Sequence, residues 1–276
     1  MKIGIIGMGH VGATLAYTLC LQGLAETLIL IDTNEAKVQA EYLELSDAVK
    51  NLDHDVKLVK NDYAALVDAA LVVFCAGDIT VLETATDRLA ELRVTSKIVA
   101  AIAPKLQASG FSGLVISITN PCDVIALYFA NLTGFDKAKV IGSGTLIDTN
   151  RLKNRAGRED VLVIGEHGES QVALNVTPDI EKQATGTGWE IYAAKHHTAF
   201  GIASSVARII RVLKTDTREL LPVSSYDEVE NCYYATLTEL TLENGVVQRV
   251  LPSLNNLETD RLTQSIQTIK RNYLEI

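Results

Sequence analysis

Three glycines stand at the junction between an apolar run and a helical pattern near the start of this 276-residue chain. Residues 2–7 are mostly apolar and end at Gly7, and Gly9 and Gly12 open a helical pattern that runs to about Gln22. At this spacing the first glycine allows a tight turn, the second lets a pyrophosphate approach the backbone, and the third lets the helix pack on the strand. The pattern predicts a dinucleotide site at the helix N-terminus.

A carboxylate, Asp32, ends the second predicted strand. There it could begin a helix, or it could accept hydrogen bonds from ribose hydroxyls and repel a 2′-phosphate, which favours NAD over NADP. Two loops after later strands should also border the cofactor, because ligands of such sheets lie off the carboxyl ends of the strands. The predicted cofactor-binding residues are Gly7, Gly9, His10, Val11, Gly12, Asp32, Ala76, Gly77, Thr119 and Asn120.

Apolar runs alternate with helical patterns through the first half of the chain. The predicted strands are residues 2–7, 27–32, 56–59, 71–76, 114–119 and 140–143, and the predicted helices are 11–22, 35–51 and 84–108. Continuous apolar strands separated by helices indicate a parallel sheet that is covered on both faces. The fold class is therefore α/β, with a doubly wound (Rossmann) sheet.

The second half has a different pattern. A helix is predicted over residues 189–213, polar and apolar residues alternate over 218–250, and an amphipathic helix is predicted over 257–273. The Asn244–Gly245 pair within the alternating stretch is typical of an antiparallel hairpin. We predict an NAD-binding domain over residues 1–142 and a smaller α+β substrate domain over 143–276.

Composition narrows the classes of partner. The net charge of −9 would repel phosphate backbones and anionic lipids, so neither a nucleic acid nor a membrane is predicted as a partner. An anionic small molecule would then need a few placed arginines. The four cysteines form no CxxC pair and stand mostly in apolar contexts, which is typical of reduced thiols in a cytoplasmic protein.

A second group of residues has the types that reduction of a 2-oxo acid requires. Its carboxylate needs a bidentate guanidinium, and its carbonyl oxygen needs a positive partner and finally a proton. His167 stands among glycines, Asp148 and Arg151 are three apart in a predicted helix, and Arg88 follows the cofactor strands. Taken singly, the histidine could be structural and the Asp–Arg pair could lie on the surface.

Four strings in order along the chain resemble the lactate/malate dehydrogenase family: GMGHVG, TNPCDVI, GSGTLIDTNRL and GEHGES. Two others, DRLAELRVTSKIV and HTAFGIASSVARI, are more similar to L-2-hydroxyisocaproate dehydrogenases. The resemblance implies an NAD-dependent enzyme that moves a hydride to or from C2 of a small 2-oxo or 2-hydroxy acid.

The resemblance also implies roles for individual residues. His167 matches the proton-relay histidine and Asp148 the aspartate that orients it. Arg151 matches the arginine that binds the substrate carboxylate, and Arg88 the loop arginine that polarises the carbonyl. The remaining substrate-binding residues implied in this way are Asn120, Thr198 and Leu82.

Residues 78–87 match the family's substrate-specificity loop. Malate dehydrogenases carry an arginine there and typical lactate dehydrogenases a glutamine, whereas this loop offers Ile79, Val81 and Leu82. Burying an aliphatic substrate side chain stabilises by roughly 1.5–3 kcal/mol, so the loop predicts a branched or aliphatic substrate such as 2-oxoisocaproate. L-lactate dehydrogenase, another substrate of the same chemistry, and a non-catalytic NAD-binding protein stay open as alternatives.

Two connections, residues 151–167 and 171–188, are shorter than is usual in the family. They fall where the substrate domain normally carries strands and subunit contacts. The resemblance still implies a homo-oligomer, and the shortened segments leave the choice between a homodimer and a homotetramer open.

Overall fold

The computed structural model describes residues 1–78, 81 and 88–276, with only the backbone described for residues 88 and 89. The strands are β1 (Lys2–Ile6), β2 (Thr27–Ile31), β3 (Lys57–Lys60), β4 (Leu71–Phe74), β5 (Leu114–Ser117), β6 (Val140–Gly142), β7 (Leu162–Ile164), β8 (Val172–Leu174), β9 (Leu220–Asp227), β10 (Cys232–Thr241) and β11 (Gly245–Val250). The α-helices are α1 (His10–Leu21), α2 (Glu35–Val49), α3 (Arg88–Ala108), α4 (Cys122–Thr133), α5 (Leu146–Ala156), α6 (Pro178–Lys195), α7 (Phe200–Thr215) and α8 (Asn256–Tyr273).

One large sheet runs through the described part of the chain, in the order β11-β10-β9-β6-β5-β4-β1-β2-β3. The six strands from β6 to β3 in this order pair in parallel, and β9, β10 and β11 pair antiparallel. The predicted doubly wound α/β fold is confirmed, and so is the antiparallel hairpin at Asn244–Gly245.

Helices cover both faces of this sheet, as its apolar strands require. β4 and β5 are buried at every residue, because their Val, Ile, Leu and Phe side chains point into two separate cores. One core packs α1, α2 and α7 on the sheet, and the other packs α3, α4 and α8 on it. No described helix is long and apolar enough to cross a lipid bilayer.

The sheet also joins the two halves of the chain. Gly142 at the end of β6 pairs with Ser224 in β9, so the antiparallel strands continue the parallel sheet at its edge. A Cβ at Gly142 would lie 2.8 Å from the Cys122 Sγ and from the Ser224 Cβ, and glycine therefore permits this close pairing. The division of the chain at residue 142 stays a prediction.

The predicted single helix over residues 189–213 is wrong. The structure has two helices, α6 and α7, and α6 ends at Lys195 because the next residue, His196, has a left-handed φ of 60°. Pro178 begins α6 at the first helical position, where its missing N–H costs no hydrogen bond. The glycines and threonines of residues 185–188 are weak helix formers, and they hid this beginning from the sequence pattern.

The β7–β8 hairpin was also absent from the sequence prediction. Each of its strands has three residues, which is too short to show an alternating pattern. It matters for the site because the chain turns at its tip, between Ile164 and Val172, and His167 lies in that turn. The predicted helix over 84–108 begins at Arg88 among the described residues, and residues 84–87 lie outside them.

Candidate active site

The turn that carries His167 is anchored on two sides. Gly165 has a left-handed φ of 87° and exchanges two backbone hydrogen bonds of 2.9 Å with Ala235 of β10. The next residue, Glu166, donates its N–H to the Ser265 Oγ of α8 at 2.8 Å. A Cβ at Gly165 would lie 2.6 Å from that same Oγ, so this turn requires glycine both for its φ and for space.

Helix α5 holds the partners of the histidine. Thr145, which precedes the helix, donates its hydroxyl to the Val163 carbonyl at 2.5 Å, and Val163 N–H donates to the Thr149 Oγ1 at 3.1 Å. These two bonds tie the first turn of α5 to β7. Asp148 therefore lies at a fixed distance from the turn that follows β7.

The predicted group of a histidine, an aspartate and an arginine is assembled in the structure. The Asp148 Oδ2 lies 2.5 Å from the His167 Nδ1, and the Asp148 Oδ1 accepts a hydrogen bond of 3.1 Å from the Arg151 Nη1. The alternative of a surface ion pair is excluded, because the Asp148 side chain is 8% exposed and the Arg151 side chain 17% exposed. The spacing of three places both side chains on one face of α5.

The charges of this group act on one another. Burial disfavours the imidazolium, but nearby carboxylates, chiefly that of Asp148, act in the opposite direction, and the net result is that the pKa of His167 is raised above its ordinary value. Burial also acts against the charged form of Asp148, and the neighbouring His167 and Arg151 reverse that effect and lower the pKa of Asp148. Because Nδ1 faces Asp148, Nε2 is the ring nitrogen left for a ligand.

A cavity of about 530 Å³ opens in front of the histidine. Of the predicted site residues, it is lined by Asn120, Asp148, Arg151, His167 and Thr198. Its further wall belongs to α6, where Trp189 and Tyr192 present aromatic rings in edge-to-face contact. Residues that line the cavity and that sequence reasoning missed are Glu91, Glu169, Gln171, Pro178, Glu181, Lys182, Thr185, Gly186, Gly188, Trp189, Tyr192 and Arg261.

Two glycines shape the α6 wall. A Cβ at Gly188 would lie 3.4 Å from both Nη atoms of Arg151, so the missing side chain leaves room for the guanidinium. A Cβ at Gly186 would meet no atom within 4 Å, and this position opens into free space. Glycine inside a helix costs about 1 kcal/mol of helix stability relative to alanine. At Gly186 and Gly188, therefore, the open space comes at the expense of helix stability.

A second cavity, of about 330 Å³, adjoins the first along the carboxyl edge of the sheet. It shares Asn120, Arg151, His167 and Thr198 with the first cavity, so the two form one cleft. Of the predicted cofactor-binding residues, its lining contains Gly9, His10, Val11, Gly77, Thr119 and Asn120.

The glycine loop at the head of α1 has the geometry that a pyrophosphate needs. A Cβ at Gly12 would lie 1.9 Å from the Gly7 carbonyl oxygen, so the helix and the loop touch there, whereas Gly9 has nothing within 4 Å. Gly9 is the N-cap and has no side chain that could cap the N–H groups of the first turn. These residues fit a dinucleotide phosphate.

Asp32 and Ala76 are not among the described residues that line the second cavity, and hydrogen bonds hold the strand ends beside it. Asp32 directly follows β2. Its carboxylate accepts hydrogen bonds from the Met8 N–H at 2.6 Å and the Asn34 N–H at 2.9 Å. Thr119 donates its hydroxyl to the Ala76 carbonyl at 3.0 Å, which ties the ends of β4 and β5 together. The bond that follows Asn120, to Pro121, is a cis peptide.

Two predicted residues cannot be placed by their side chains. Arg88 begins α3, but its side chain is not described. Leu82 and most of the predicted specificity loop also lie outside the described residues. Their roles stay predictions.

One residue that sequence reasoning missed, Asp123, lies directly behind the histidine and accepts a hydrogen bond from the His167 N–H at 2.8 Å. Its position in the first turn of α4 is also typical of an ordinary helix-capping acid, which is why it gave no signal.

Comparison with known proteins agrees with this geometry. Residues 1–142 match the sequence model of a family described as lactate/malate dehydrogenase, NAD binding domain. The chain is 34% identical to L-lactate dehydrogenase 1 of Bifidobacterium longum over 98% of this chain and 96% of that protein. It is 32% identical to the L-lactate dehydrogenase of Halalkalibacterium halodurans over 98% and 95%. The crystal structure of the minor L-lactate dehydrogenase of Enterococcus mundtii superposes with a TM-score of 0.92 at 26% identity, covering 100% of this chain and 98% of that one.

Proposed function

Because this chain belongs to the lactate/malate dehydrogenase family and is an NAD-dependent 2-hydroxyacid dehydrogenase, we propose that it interconverts a 2-oxo acid and its L-2-hydroxy acid with a preference for branched or aliphatic side chains, such as that of 2-oxoisocaproate. The observation that carries the preference is the cavity of about 530 Å³ beyond His167. The methyl group of pyruvate would fill little of it, and an aliphatic side chain would bury more apolar surface there.

In the proposed reduction, His167 gives its proton from Nε2 to the carbonyl oxygen of the substrate. When bound, NADH supplies the hydride that C2 receives. The contact of 2.5 Å between the Asp148 Oδ2 and the His167 Nδ1 supports this role, because it fixes the ring and favours the protonated form. In the reverse direction the neutral imidazole accepts the proton of the hydroxy acid.

We assign the substrate carboxylate to Arg151. Its guanidinium uses one N–H for Asp148, and it lines the cavity in front of His167. A guanidinium binds a carboxylate through two parallel hydrogen bonds, which orients the acid as well as attracting it. Asn120 and Thr198 line the same cavity and are proposed to contact the substrate, and Arg88 is proposed to polarise its carbonyl.

The side chain of the substrate is proposed to lie against α6. Trp189 and Tyr192 offer aromatic surface, and Gly186 leaves the wall open. The charged residues that line the cavity include Arg261 and Glu181, which form an ion pair with each other. That pairing supports an uncharged rather than an anionic substrate side chain.

L-lactate dehydrogenase is the second candidate, and the names of the relatives favour it. Initial rates of NADH oxidation with pyruvate, oxaloacetate, 2-oxoisovalerate, 2-oxoisocaproate and phenylpyruvate separate the two. We expect kcat/KM for 2-oxoisocaproate to exceed that for pyruvate about tenfold or more. A preference for pyruvate would retain the reaction and refute the branched-chain proposal. NADH binding without turnover of any of the five would favour a non-catalytic NAD-binding protein.

Narrowing the cavity gives a test of the α6 wall. Gly186→Leu should lower kcat/KM for 2-oxoisocaproate about tenfold and leave that for pyruvate nearly unchanged, because the new side chain occupies the space proposed for the longer substrate. The matched control is Ala194→Leu, which adds the same side chain at an exposed position of the same helix. Equal losses for both substrates would mean that the substrate side chain lies elsewhere.

The cytoplasmic location and the number of subunits stay predictions. Light scattering of the purified protein would distinguish a homodimer from a homotetramer, and a monomer would contradict both.

A further inference from the structure

Asp123 is a buried acid behind the histidine turn, and a hydrogen bond alone does not explain its charge. Its side chain is 1% exposed, and Oδ2 accepts the His167 N–H at 2.8 Å. The other oxygen, Oδ1, is buried, and no described residue makes a hydrogen bond of normal geometry to it, although the Ser224 hydroxyl is close enough to favour the charge. An asparagine could accept the same N–H without the cost of burying a negative charge.

Two neighbours of Asp123 favour its negative charge, the Ser224 hydroxyl of β9 and His167. The His167 main chain touches Oδ2 directly, and the His167 imidazole interacts electrostatically with the carboxylate. Asp148 contacts the same ring from α5 at Nδ1, so two acids from different helices act on the charge of the imidazole. The other polar or titratable groups that act on Asp123 or His167 are Arg151 from α5, Glu166 from the turn, Cys122 from α4 and Cys232 from β10.

We infer that Asp123 is a positioning residue for His167: its carboxylate fixes the main chain that presents the imidazole and supplies a second buried negative charge beside the ring. The inference rests on the proposed role of His167 as the proton donor. Asp123 belongs to α4 and is not among the site residues predicted from the sequence. Asp123 acts through His167 and is not proposed to touch the substrate.

The protonation of Asp123 makes this role depend on pH. Burial raises the pKa of Asp123 to about 6, and the nearby Ser224 hydroxyl, the His167 N–H and the imidazole limit the rise. The carboxylate is therefore charged above about pH 6 and largely neutral below it. Burial works against the charged form of His167, and Asp123 adds to Asp148 in raising the pKa of that imidazole.

The sign of the effect follows from the reaction. Reduction needs protonated His167, so kcat/KM for a 2-oxo acid is constant below the pKa of His167 and falls as pH rises through it. Removing the Asp123 charge lowers that pKa and moves the alkaline fall of kcat/KM to lower pH. Below about pH 6 the wild-type Asp123 is itself largely neutral, so the two enzymes should converge there.

Asp123→Asn tests the inference, because it keeps a side-chain oxygen for the His167 N–H and removes the charge. We expect kcat/KM within about twofold of wild type at pH 6 and about tenfold lower at pH 8.5, with unchanged NADH affinity. The matched control is Asp227→Asn, which removes a partly buried carboxylate of β9 that is paired with Arg249. It should show no such dependence on pH.

A loss that is equal at every pH would overturn the electrostatic role, and no change at any pH would overturn the positioning role altogether. NMR titration of the histidine rings, with His167 assigned from its variant, adds a readout that needs no substrate. A lower pKa of His167 in Asp123→Asn supports the inference even if no 2-oxo acid is turned over, which separates it from the proposed function. In the wild-type protein, ¹³C-carboxyl NMR should show Asp123 titrating near pH 6, and an ordinary pKa would contradict the inference.

Discussion

His167→Asn should lower kcat for 2-oxo acid reduction by about 10²- to 10⁴-fold while NADH binds normally. Asparagine keeps polarity at the turn but cannot give a proton to the carbonyl oxygen. Its amide also lacks the charge that the contact of 2.5 Å with Asp148 stabilises. Stopped-flow measurement of NADH oxidation gives the chemical step, and NADH titration gives the affinity.

The control for this variant is His54→Asn. The His54 Nε2 lies 2.8 Å from the Cys20 carbonyl at the end of α1, away from the cavity, so the same substitution there should leave kcat near the wild-type value. An active His167→Asn enzyme would assign the proton to another donor, such as a water molecule. The proposed mechanism would then be wrong even if the substrate preference held.

Arg151→Gln should weaken the productive binding of every 2-oxo acid. Losing a bidentate charged contact in a buried site costs about 2–5 kcal/mol, which corresponds to roughly 30- to 5,000-fold in kcat/KM. NADH affinity should change little, because the glycine loop at α1 is intact. Steady-state kinetics and NADH titration together measure the two effects.

The matched control lies one turn further along α5. Arg155 pairs with Glu190 at the surface, with an Nη2–Oε2 distance of 2.6 Å and a side chain 36% exposed. Arg155→Gln should therefore cost at most about 1 kcal/mol, since exposed ion pairs contribute little. If the two variants lose the same amount of activity, the assignment of the carboxylate to Arg151 fails.

Two features of the site have a local physical cause and can be predicted from the sequence. The glycine triplet needs only a strand, a turn and a helix, and the spacing of Asp148 and Arg151 needs only one helical turn. His167 was placed beside Asp148 by family resemblance, and the structure joins them through two hydrogen bonds between α5 and β7 that no local pattern encodes.

What the sequence hid depends on contacts between distant segments. Asp123 looks like a helix-capping acid until the turn from β7 to β8 lies on it. Gly186 and Gly188 look like helix breakers, and only the packing of α6 beside Arg151 shows the space that they leave. The apolar specificity loop, including Leu82, could be read only by resemblance, and it lies outside the part that the structure describes.

The wall of the cavity contains the only tryptophan of the chain, Trp189. Trp189 is 46% exposed, so water reaches it in the free enzyme. A substrate side chain that seats against α6 would displace that water and change the emission of a single fluorophore. If the substrate lies there, Trp189 emission reports substrate occupancy, and an oxamate-type acid that does not react would measure it.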